Sequence, residues 1–131
     1  MGRFCSAVLT GLVLAACAGQ ANAATSFLCS FPYLVTPQDG MRRYRPTLVL
    51  RFHAVWTKKR AYAIGDDGEA DEVSVVPNHD GVSFVSVTDA GEIMVTTISK
   101  DGRAVHSRHL VDGVALLPQQ FHGRCRDTDS D

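Results

Sequence analysis

The residues with the greatest capacity for chemistry in this chain stand in one short run, His106-Ser107-Arg108-His109. Two histidines three apart share a face on a helix and could hold one metal ion there. On a strand an odd separation sends them to opposite sides. The Val, Ile and Thr residues around the run read as strand, so the pair makes no metal site, and His53, His79 and His122 are too scattered to complete one. The acidic stretch from Asp66 to Glu72 lacks the loop spacing of an EF-hand and reads as a solvated hairpin tip.

Catalytic patterns are absent as well. There is no Gly-x-Ser-x-Gly elbow, and nearly every Asp and Glu falls at or beside an expected turn, which leaves no pair of carboxylates to flank a scissile bond. The chain is therefore read as a non-enzyme with no metal and no cofactor; a hydrolase with an unrecognised site is the alternative from a different class. What remains is His106 and Arg108, two apart and so on one strand face. Arginine is rarely buried without a partner. Either Arg108 meets a buried carboxylate as a structural ion pair, or it lines a pocket or rim with His106 and receives an anionic group from a ligand or partner. Two basic groups, Arg42-Arg43-Tyr44-Arg45 and Lys58-Lys59-Arg60, are expected in loops flanking the second strand, either as solvated loop ends or as contacts for phosphate or carboxylate.

The elements that must position these side chains are strands. Glycine punctuates the chain at Asp67-Gly68, Asp80-Gly81, Ala90-Gly91, Asp101-Gly102 and Asp112-Gly113, and aspartate before glycine suits a tight hairpin turn. Between the turns lie runs rich in Val, Ile, Thr, Phe and Tyr: 60–64, 72–76, 82–88, 92–98, 103–110 and 114–117. Residues 26–35 and 47–56 read the same way, and 121–125 reads as a closing strand. No stretch of the mature part sustains a capped helical period. The expected fold is all-β, a small antiparallel meander of seven to nine strands closed as a barrel or a sandwich to avoid open edges. If Asp101-Gly102 is a two-residue turn, Thr97 faces His106 and Val95 faces Arg108. One face of that hairpin then carries Ile93, Val95, Thr97, Ala104, His106, Arg108 and Leu110.

The N-terminus is of another kind. One positive charge at Arg3, an uncharged apolar run from Ala7 to Ala18 and the small residues Ala21-Asn22-Ala23 have the build of a secretory signal peptide, residues 1–23. The apolar run is about twelve residues, short of the roughly 20 that span a membrane, so no transmembrane anchor is expected after processing. Leu14-Ala15-Ala16-Cys17 resembles a lipobox, which makes an outer-membrane lipoprotein anchored through Cys17 the alternative to a periplasmic or secreted product. Removal of the signal leaves a single β domain, residues 24–126, and an acidic tail, 127–131, expected to be disordered. Cys5 and Cys17 lie in the signal. Cys29 and Cys125 are then the only cysteines left, and in an oxidising compartment they are expected to pair. Lys and Arg number 13 against 14 Asp and Glu, for a formal charge of −1, so no nucleic-acid partner is expected.

The segment Thr96-Thr97-Ile98-Ser99-Lys100-Asp101-Gly102-Arg103-Ala104-Val105-His106-Ser107-Arg108-His109, with the closing Gly123-Arg124-Cys125, resembles a group of small exported bacterial proteins of uncharacterised function. The resemblance implies a shared β fold and disulfide and brings no activity with it. In architecture the chain is also similar to the periplasmic inhibitors of c-type lysozyme, small exported disulfide-bonded barrels that block the enzyme's cleft with a Ser-Gly-x-x-Tyr motif. The nearest segment here is Asp80-Gly81-Val82-Ser83-Phe84, without the tyrosine. The functional expectation is an exported, non-enzymatic binding protein of the bacterial envelope whose partner is an unidentified protein or envelope component, with inhibition of a lysozyme-like enzyme as its most concrete version. A structural or stress-related periplasmic protein with no dedicated ligand is the alternative.

Overall fold

A computed structural model describes residues 23–129. Of the expected export signal 1–23, residues 1–22, with Cys5 and the lipidation candidate Cys17, lie outside the described residues, as do 130 and 131. Eight strands follow one another: β1 (Ala24–Thr36), β2 (Gly40–Val55), β3 (Arg60–Ile64), β4 (Ala70–Asn78), β5 (Gly81–Val87), β6 (Ile93–Ser99), β7 (Arg103–Asp112) and β8 (Ala115–Asp127). Each pairs antiparallel with the next, and β8 returns to β1 to close a barrel, so no strand is left as an open edge over its whole length. Among the described residues the only helical element is a 3-10 turn, Trp56–Lys58, after β2.

Alternation along the strands fills the interior. Phe31, Leu34, Phe52, Phe84, Ile98 and Phe121 are buried there, together with Ala54, Ala61 and Ala104. Phe52 and Phe84 stack at 4.5 Å between ring centroids, and Phe27 tilts onto Phe84 at 5.9 Å. Burial of each such side chain stabilises the fold by about 1.5–3 kcal/mol. Cys29 stands opposite Cys125 in the β1–β8 ladder, and the two form the disulfide that locks the first strand to the last.

Several boundaries differ from the expectation. The two runs 114–117 and 121–125 are one strand, because Pro118 sits on β8 beyond Gln120, the last residue paired with β1, and proline is tolerated at such an edge. Arg42, Arg43 and Arg45 belong to β2 rather than to a loop: that strand starts at Gly40, and its pairing with β1 is interrupted by a register shift between Phe31 and Tyr33. The first residues of the acidic tail bond to β1. Asp127 ends β8, Thr128 N–H donates to the Ser26 carbonyl at 2.9 Å, and Asp129 accepts from Ser26 N–H at 2.6 Å, so β1 supplies the partners that composition alone could not reveal.

The β6–β7 turn decides which side chains enter the barrel. Gly102 N–H donates to the Ser99 carbonyl at 2.9 Å, and only Gly102, at φ +85°, has a positive φ, whereas a two-residue type I′ turn needs two such residues. The loop is therefore three residues, Lys100–Gly102, closed by Ser99 and Arg103. One extra residue moves the register by one, pairing Thr96 with His106 and Met94 with Arg108. The β7 half of the expected face, Ala104, His106 and Arg108, does point inward. The β6 half is reversed: Met94, Thr96 and Ile98 face in, while Ile93 is exposed. Gly81 is needed for a different reason, since any Cβ there would collide with the Ile98 carbonyl oxygen on β6.

Candidate binding site

The four connections on one end of the barrel are 37–39, 65–69, 88–92 and 113–114, and beneath them the interior is incompletely filled. A cavity of about 260 Å³ is walled by Leu48, Leu50, Phe52, Val73, Phe84 and Met94, with Ser86, Thr96, His106 and Arg108 as its polar members. The apolar walls come from inward-facing residues of β2, β4, β5 and β6, and β7 contributes the two charged or titratable side chains.

His106 is 5% exposed. Its Nδ1 lies 2.8 Å from Thr96 Oγ1, and the ring sits between Phe31 and Phe121 with centroids 6.0 and 5.9 Å away. Burial pushes the imidazole pKa down to about 4; the Arg108 guanidinium adds to the effect and Glu92 opposes it. At neutral pH the ring is uncharged. Because Nδ1 is committed to Thr96, any bond to an occupant of the cavity goes through Nε2. A hydroxyl beside an imidazole also has the outline of a nucleophile and base, but a ring held near pKa 4 is a weak base at pH 7 and Thr96 is itself buried.

Arg108 has found a carboxylate. Its Nε donates to Glu92 Oε1 at 2.7 Å, with the arginine side chain 33% exposed and the glutamate 16%. The pair stands at the open end of the cavity. Arg108 is thus ion-paired and also lines the hollow that His106 lines. His109, by contrast, is exposed on the other side of β7. Among the described residues no three His, Cys, Asp or Glu side chains are grouped to hold a metal ion.

Comparison with protein-family models, curated proteins and solved structures found no match to this chain. Function must be read from the site. Glu92, Thr96 and Met94 were not singled out in the sequence. Glu92 carried a signal, as a carboxylate at the foot of the strand that pairs with Arg108's own; Thr96 and Met94 became site residues only through the one-residue register change.

A second surface feature sits at the same end. The β6–β7 ladder ends at Ile93 opposite His109, and the β1–β8 ladder at Val35 opposite Gln120. Beyond these points residues 110–117 pair only with one another and project as a two-stranded ribbon. Val111, Val114, Leu116 and Leu117 are exposed on it. The segment nearest the inhibitor motif has another setting: Val82 and Phe84 are in the core, and Ser83 bonds Thr97 on the outer face at 2.8 Å.

Proposed function

We propose that this is an exported, non-enzymatic binding protein of the bacterial envelope that takes a small, largely apolar ligand into the open end of its barrel. The observation that carries this reading is the cavity of about 260 Å³, apolar on most of its walls, with His106 and Arg108 converging on it. An apolar hollow with a few placed polar groups binds by removing hydrocarbon from water and orients the ligand through those groups. The disulfide supports an oxidising compartment, and no helix among the described residues is long and apolar enough to cross a membrane. Binding rather than turnover is supported by the low basicity of His106 beside Thr96.

The test is titration of the purified protein with N-phenyl-1-naphthylamine, a neutral dye that brightens in apolar surroundings. Saturable binding of one dye per chain, lost in Ser86→Trp, which fills the mouth, is the expected result. No saturable brightening overturns the reading.

A second reading rests on the ribbon. A projecting hairpin with Val111, Val114 and Leu116 uncovered has the shape to enter the cleft of a lysozyme-like enzyme. Residual activity of a c-type lysozyme in the presence of excess protein tests it directly: inhibition supports this reading, and full activity ends it.

A further inference from the structure

The cavity adjoins a second hollow, set in the barrel wall. The β4–β5 ladder runs from Asn78 opposite Gly81 to Ser74 opposite Val85 and stops, although β4 begins at Ala70 and β5 continues to Val87. At the place where the strands part lies a hollow of about 390 Å³ lined by Asp71, Glu72, Thr88 and Asp89. Ala63, Val73, Ser86 and Met94 line both this hollow and the apolar cavity, so the two share one wall.

The charges around these hollows are unequal. Glu72 is matched by Arg60 through two bonds of 2.9 Å, and Glu92 by Arg108 at 2.7 Å. The ion pairs among the described residues leave Asp71 and Asp89 unmatched. Asp71 pairs with Ala63 in the β3–β4 ladder, two residues from the inward pair Ala61 and Val73, which puts it on the inner face at the rim. Among the described residues, the cation that lines the cavity, Arg108, is already neutralised by Glu92. An anionic head group would have to break that pair and pass two unmatched carboxylates; a cationic head would meet those carboxylates with no pair to break.

Resting on the small-ligand reading above, we propose that the ligand is a cationic amphiphile, its hydrocarbon or aromatic body in the barrel mouth and its ammonium-type head held by Asp71 and Asp89 at the β4–β5 gap. The pairing is partly exposed and weakens as salt rises.

Three compounds with the same eight-carbon tail separate the possibilities: octyltrimethylammonium, 1-octanol and octyl sulfate, each used to displace N-phenyl-1-naphthylamine. The ammonium compound is expected to bind about tenfold more tightly than the other two. Asp71→Asn with Asp89→Asn should abolish that preference and leave dye binding unchanged, since both residues are exposed. Equal binding of all three, or preference for octyl sulfate, overturns the cationic assignment while the cavity reading stands. Failure of the dye and of all three compounds to bind overturns both.

Discussion

Arg108 donates to Glu92 across 2.7 Å at the open end of the barrel, each side chain being largely covered by the other and by the rim. Removing one partner leaves a charge in a partly desolvated place. Arg108→Met is expected to destabilise the fold by about 1–3 kcal/mol, and Glu92→Gln by a similar amount. The double variant should lose less than the sum, because neither charge is then stranded. Urea denaturation of the four proteins measures this, and strict additivity would show that the two side chains do not depend on one another.

His106 makes stability depend on pH. Its folded pKa of about 4 lies below the ordinary histidine value of 6.5, so between those limits the unfolded chain binds more protons than the folded one. Stability from this group is complete above pH 6.5, falls as pH drops toward 4, and is level below that. The loss between pH 7 and pH 5 is about 2 kcal/mol. His106→Gln keeps a polar atom near Thr96 and does not titrate. Melting curves should therefore show a smaller change between pH 7 and 5 in the variant than in the parent; equal changes would mean that the ring titrates normally.

The strand-and-turn rhythm and the closing disulfide were legible because both are local or compositional: β-branched runs between glycine turns, and two cysteines left to pair. Closure as a barrel rather than a sandwich was not, since both satisfy the same alternation. The site was half legible. His106 and Arg108 were placed correctly on one inward face of β7, but their partners were wrong by one residue, because an Asp-Gly pair permits both a two-residue turn and a three-residue loop with glycine at its αL position. Glu92 was within reach of the sequence as a carboxylate at the foot of the neighbouring strand, whereas the gap between β4 and β5 is an outcome of strand lengths that no local pattern encodes.

The disulfide closes a loop between Cys29 and Cys125, 96 positions apart in sequence and both buried. Loops of this size stabilise by up to about 4.7 kcal/mol through restriction of the unfolded chain. Cys29→Ala should lower the melting temperature by about 10 °C or more. The native oxidised protein should show no thiol reactive to an Ellman-type reagent until denatured and reduced; two titratable thiols would contradict the pairing.

Residues 110–117 pair only with one another, and Val111, Val114, Leu116 and Leu117 are exposed, so these side chains add little to stability. Val114→Asp should change the unfolding free energy by less than about 0.5 kcal/mol. If lysozyme inhibition is observed, the same variant should abolish it. A folded Val114→Asp protein that still inhibits would move that activity away from the ribbon.

The most direct measurement of the central claim is methyl NMR of the protein during titration with N-phenyl-1-naphthylamine. The ring current of a dye seated in the barrel mouth should shift the methyl signals of Leu48, Leu50, Val73 and Met94, which line the cavity, and leave Val49 and Val76, exposed on the outer surface, in place. Shifts confined to outer-surface or ribbon methyls, with the four cavity residues unmoved, would contradict the account.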